Sequence, residues 1–184
     1  MSHRSRAVFW IGVIALIAGA VALADEPKRT PPRLLGFGEA PDPVAEAANI
    51  IPHSEYDSAV LNALVSLLSR DAMRAVCAVE LPKLRAVNDA AYVAWTERNA
   101  AAIRDIQPHS KALILKSAHN NAALAQKVEG FQLQQTQLYL RQQLSIDGSH
   151  SVCTGYARVL KERAGLEAEL ASQLAIIRSH PLPK

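Results

Sequence analysis

The sequence predicts an all-α chain: an antiparallel up-down four-helix bundle tied by one disulfide, with a signal peptide and a proline-rich linker before it. Three observations carry that expectation. Beyond Pro52 the chain is rich in alanine, leucine, glutamine and arginine, all good helix formers, and no alternating β-branched run interrupts them. Apolar residues there recur at three- and four-residue spacing, the mark of a helix with one buried face. Pro27, Pro31, Pro32, Pro41, Pro43 and Pro52 crowd one short stretch, and the prolines after them fall between helical patterns or at their end.

The first element is an address. Arg4 and Arg6 precede residues 7–23, a run of 17 without a charge, which ends in Ala22-Leu23-Ala24 before Asp25-Glu26-Pro27. This is a basic region, an apolar region and a small-residue cleavage site. It predicts residues 1–24 as a signal peptide, cut between Ala24 and Asp25, and a mature chain in the periplasm or secreted beyond it. A membrane-spanning helix needs ~17–25 apolar residues, so the run is at the short end. The alternative is an inner-membrane anchor through residues 7–24. Residues 25–53 read as a poorly ordered linker, in which Leu34, Leu35 and Phe37 are apolar enough to dock.

Four helices follow, in a domain spanning residues 54–180. The first is expected over residues 54–79, with Ser54 as N-cap and Asp57 three residues on. The second is expected over 82–106, striped by Val87, Ala91, Trp95, Ala102 and Ile106. The third, over 108–145, carries Ile114, Ala118, Leu124, Val128 and Leu138, with a bend at Gly130. After a turn at Asp147-Gly148, the fourth covers 150–178 with Val152, Tyr156, Val159, Leu166, Leu170, Leu174 and Ile177. Short connections make such helices antiparallel neighbours.

Cys77 then falls near the end of the first helix and Cys153 near the start of the fourth, at the same end of the bundle. An exported chain with these two cysteines is expected to join them in a structural disulfide. No C-x-x-C motif supports a redox role.

Charge excludes a partner class. The net charge is +3, and two of those charges are Arg4 and Arg6; from Asp25 onward 18 Lys and Arg face 17 Asp and Glu, leaving +1. Nucleic-acid binding needs positive charge concentrated on a face, and the sequence gives no such excess. C-x-x-C-H, paired Glu-x-x-His, H-E-x-x-H, G-x-S-x-G, S-x-x-K and P-loop patterns are all missing. His53, His109, His119, His150 and His180 are scattered singly, and most read as solvated residues at helix ends. The sequence therefore assigns no catalytic residue, no metal site and no cofactor.

Two segments stand out. In Tyr92-Val93-Ala94-Trp95-Thr96-Glu97-Arg98-Asn99, Trp95 reads as core with Tyr92 on its face, and Arg98 and Asn99 can reach a partner or the end of a neighbouring helix. Residues 132–143 hold six glutamines, a neutral face able to enter an interface without the desolvation cost of charge.

The order Cys77, then Tyr92, Trp95, Arg98 and Asn99 on a Pro-led helix, then Cys153 opening a final helix, resembles small exported helical proteins of Gram-negative bacteria with no assigned function. The resemblance implies a periplasmic, disulfide-tied helical fold and transfers no activity.

The expected function is a non-catalytic protein-binding module with a periplasmic or envelope partner. Its candidate contacts are Arg98, Asn99, Gln134, Gln135, Arg141 and Gln142. Three alternatives stay open: an inhibitor or immunity-type protein against a cell-wall hydrolase or toxin, a small-ligand carrier or enzyme using the bundle core, and an anchored structural envelope protein.

Overall fold

A computed structural model describes residues 42–147 and 149–182. The signal segment, its Ala24–Asp25 cleavage point and the first part of the linker lie outside these residues. Among the described residues there are helices and no strands: α1 Pro43–Ala48, α2 Glu55–Glu80, α3 Arg85–Arg98, α4 Ala100–Ser117, α5 Ala122–Asp147, α6 Ser149–Glu162, α7 Leu166–Glu169 and α8 Ala171–Ser179, with a 3₁₀ turn at Pro82–Leu84. None of them is long and apolar enough to cross a membrane.

α2 is the axis of the fold. It packs against α3, α4, α5, α6 and α8. Ala59, Val60, Ala63, Val76 and Cys77 of α2 meet Trp95, Ile106, Tyr156, Leu166, Leu174 and Ile177 in the main core. A second cluster joins Leu64 of α2 to Ile114 and Ala118, to Ala125 and Val128 of α5, and to Ala47 of α1. The sequence cue at the start of α2 is realised directly: Ser54 Oγ accepts the Asp57 N–H at 2.9 Å. Cys77 and Cys153 form the disulfide and are both buried.

Helices surrounding α2 replace the four expected rods. The expected second helix is divided at Asn99, and helical structure resumes at Ala100 as α4. Pro108, expected to separate two helices, lies inside α4. Its missing N–H removes one helical hydrogen bond, yet Ile106, His109, Leu113 and Ile114 are all buried and hold the helix to its neighbours on both sides of the proline. The expected third helix is cut instead at His119 and Asn120, which take φ of 52° and 60°. Asn120 N–H then bonds Leu115 O at 2.9 Å, closing the end of α4 in a left-handed turn of the kind asparagine tolerates. Asn121 Oδ1 accepts the Leu124 N–H at 3.1 Å and starts α5.

The expected fourth helix breaks before Gly165, giving α6, α7 and α8. Part of the expected linker is also helical. Pro43–Ala48 forms α1 and packs on α5, where Gln132 Nε2 donates to Ala48 O at 3.4 Å. Val87, Leu138 and Val159, read as core-facing, are instead about half exposed.

Candidate functional site

The segment around Trp95 is an internal joint. Trp95 is buried, Tyr92 stacks on it at 5.9 Å between ring centroids, and the guanidinium of Arg70 lies 5.0 Å from its ring centroid. Arg98 and Asn99 reach neighbouring chain, the second of the two expectations for them. Arg98 Nη2 donates to Leu160 O at 2.6 Å, near the end of α6, where carbonyls lack helical partners. Asn99 is only 4% exposed; its Nδ2 donates to Trp95 O at 2.7 Å and its Oδ1 accepts the Leu166 N–H at 2.7 Å. The Asn99 amide is therefore used inside the fold, which corrects its place among surface contact residues.

A buried ion pair lies beneath that joint. Arg70 of α2 pairs with Glu169 of α7, while its Nη1 donates to Ser66 O at 2.7 Å and Ser66 Oγ at 2.6 Å. Arg163 Nε lies 2.7 Å from the same Glu169 carboxylate. Tyr156 closes the cluster by donating to Arg70 O at 2.9 Å, and burial pushes its phenol above the ordinary range. The cluster ties α2, α6 and α7 together.

His109 corrects the reading of the histidines as solvated ends. It is buried in α4, and its Nδ1 lies 2.6 Å from the hydroxyl of Tyr56 in α2. Burial, followed by the charge of Asp57, holds the Tyr56 phenol above its ordinary range. Burial, with His180 adding to it and Asp105 opposing, pushes His109 below its ordinary range. Tyr56 also stacks on His180, at 4.3 Å between centroids. The pair joins α2, α4 and the residue after α8. Among the described residues no group of His, Cys, Asp or Glu is arranged to hold a metal ion.

The remaining expected contacts share one surface. Gln134, Gln135, Arg141 and Gln142 are all exposed on α5, with Leu138 between them, 51% exposed. Spacings of three and four residues place Gln134, Leu138, Arg141 and Gln142 on adjoining turns of a helix face. Arg141 Nε lies 3.6 Å from Glu80 Oε1, which anchors this part of α5 to the end of α2. The surface is an apolar side chain set among neutral amides and one arginine.

A feature that sequence reasoning missed lies on other residues of α4 and α5. Ser110 Oγ and Gln132 Oε1 are buried without a hydrogen-bond partner among the described residues, and both line one cleft against α2. The glutamine run was visible in the sequence, but nothing local marks Ser110 as its neighbour.

No protein-family model, curated protein or solved structure matches this chain.

Proposed function

We propose that the chain is an exported, non-catalytic binding protein that engages another periplasmic or envelope protein through the outer face of α5. The observation that carries this reading is Leu138, half exposed among Gln134, Gln135, Arg141 and Gln142. Burying an apolar side chain supplies the gain on association. Neutral amides surrounding it lose less on desolvation than carboxylates or ammonium groups do, and arginine is enriched at protein interfaces. The disulfide supports residence in an oxidising compartment, as the N-terminal address does. An inhibitor or immunity-type role is one form of the same reading, distinguished by which partner is bound.

The test is binding by surface variants that leave the core untouched. Leu138→Ala is expected to weaken partner binding about tenfold, the effect of removing one interface anchor. The combined alanine variant of Gln134, Gln135, Arg141 and Gln142 is expected to weaken it further. Unchanged binding in both variants contradicts the proposal.

A further inference from the structure

We infer that the outward face of α3 binds a second copy of this chain, antiparallel, across a two-fold axis at Ala90. This interface is separate from the α5 surface. One side of α3 is used inside the fold: Asn88 and Trp95 are buried, with Ala91 and Tyr92 partly buried beside them. The opposite side holds Ala86, Val87, Ala90, Val93 and Ala94, all exposed. Val87 is 57% exposed and Val93 52%. At roughly 100° per residue, these five side chains share a sector about 120° wide. A helix side that faces solvent ordinarily carries charged and polar residues. Between Lys83 and Glu97 this one carries none.

The pattern on this face selects its occupant, because it reads alike in both directions from Ala90. Ala86 and Ala94 stand equally far from Ala90 on either side, and so do Val87 and Val93. Lys83, in the turn that leads into α3, and Glu97, near its end, are each about two helical turns away. In a two-fold interface, residue i of one copy meets residue j of the other, and j meets i. With Ala90 on the axis, Ala86 meets Ala94 of the second copy and Val87 meets its Val93. Lys83 then faces Glu97 of the second copy at both ends. A parallel pairing would instead set lysine against lysine and glutamate against glutamate. Alanines along the contact let the helix axes approach to about 8 Å, the near limit for packed helices.

The charges around the face fit this assignment. Asp89 is paired within the chain with Arg74 and Arg85, and Arg98 donates to Leu160 O. Lys83 and Glu97 are exposed and enter no ion pair among the described residues. The two charges at the ends of the apolar sector are thus left for a partner of opposite sign at each end, which a second copy supplies.

One helix face of this length buries less than the ~1,600 Å² of a standard interface, so the dimer belongs to the weak class. The experiment is sedimentation equilibrium of the oxidised protein isolated from its host, from about 10 μM to about 1 mM, the range in which weak association is read. The wild-type mass is expected to rise from monomer toward dimer. Ala90→Glu sets two carboxylates against each other on the axis, and should stay monomeric throughout at an unchanged melting temperature. Glu97→Lys turns both end contacts into repulsions and should weaken association about tenfold. Lys83→Glu combined with Glu97→Lys should restore it. A wild-type chain that stays monomeric overturns the proposal, and flotation of that monomer with phosphatidylglycerol vesicles would assign the face to lipid instead. Dimers that persist in Ala90→Glu overturn it as well, and failure of the charge exchange to restore association overturns the antiparallel pairing.

Discussion

Asn99 Oδ1 accepts the backbone N–H of Leu166 at 2.7 Å, so one side chain in the break between α3 and α4 also holds the start of α7. The same amide donates to Trp95 O. Asn99→Ala leaves a buried N–H and a carbonyl without these partners and is expected to destabilise the fold by about 1–3 kcal/mol. Asn99→Asp keeps the acceptor and loses the donor, and should also destabilise. Gly165→Ala should cost stability through the same contact, because its Cβ would lie 3.0 Å from Asn99 Oδ1. Urea unfolding of the three variants measures these effects.

Reduction of Cys77–Cys153 releases a loop of 76 residues in the unfolded chain. The chain-entropy relation puts the loss at about 4 kcal/mol. Both cysteines are fully buried, so Cys77→Ala with Cys153→Ala also leaves a small void. The double variant should keep its helical circular dichroism at low temperature and unfold at markedly lower urea than the oxidised protein.

Glu169 is expected to be the more damaging half of its pair to remove. Glu169→Ala leaves the Arg70 guanidinium buried without its counter-charge, a situation that costs about 3–5 kcal/mol. Replacing both partners together, Arg70→Met with Glu169→Leu, should cost much less than the single change. A double-mutant cycle in urea separates the two.

His109 makes stability pH-dependent. Its folded-state pKa is lowered, by burial and then by His180. At neutral pH both folded and unfolded chains hold it uncharged. As pH falls through the ordinary histidine value of about 6.5, the unfolded chain takes the proton first. The contribution of His109 to stability is therefore full above that value and declines as pH drops toward the lower folded-state pKa. In the protonated ring both nitrogens are donors, so the Tyr56 hydroxyl can then only accept from Nδ1. Melting temperature should fall between about pH 7 and about pH 5, and His109→Gln should flatten that slope.

Gly130→Ala should stabilise the protein by about 0.5–1 kcal/mol, since glycine is a poor residue inside α5 and the new methyl group meets open space. Thermal unfolding checks it directly.

Local signals in the sequence were realised where they act locally. Ser54 caps α2, the cysteine pair closes, and Trp95, Leu166, Leu174 and Ile177 are core. The breaks at Asn99 and at His119 and Asn120 were not legible, because their causes are distant or lack proline and glycine. Asn99 ends α3 with a partner 67 residues away. His119 and Asn120 end α4 through left-handed backbone, whereas Pro108, the strongest local stop signal, sits inside it. The glutamine face of α5 was visible as a pattern. The cleft beside it was not, since Ser110 and Gln132 come together only when α4 and α5 pack on α2.

Binding through the α5 face is the central claim, and native mass spectrometry of the protein isolated from its host tests it most directly. The wild-type chain is expected to begin at Asp25, to lack the two hydrogens lost in one disulfide, and to carry a stoichiometric protein partner. The combined Gln134, Gln135, Arg141 and Gln142 alanine variant should show the same mature chain without that partner. A wild-type chain with no protein partner, or a partner retained undiminished by the variant, contradicts the account.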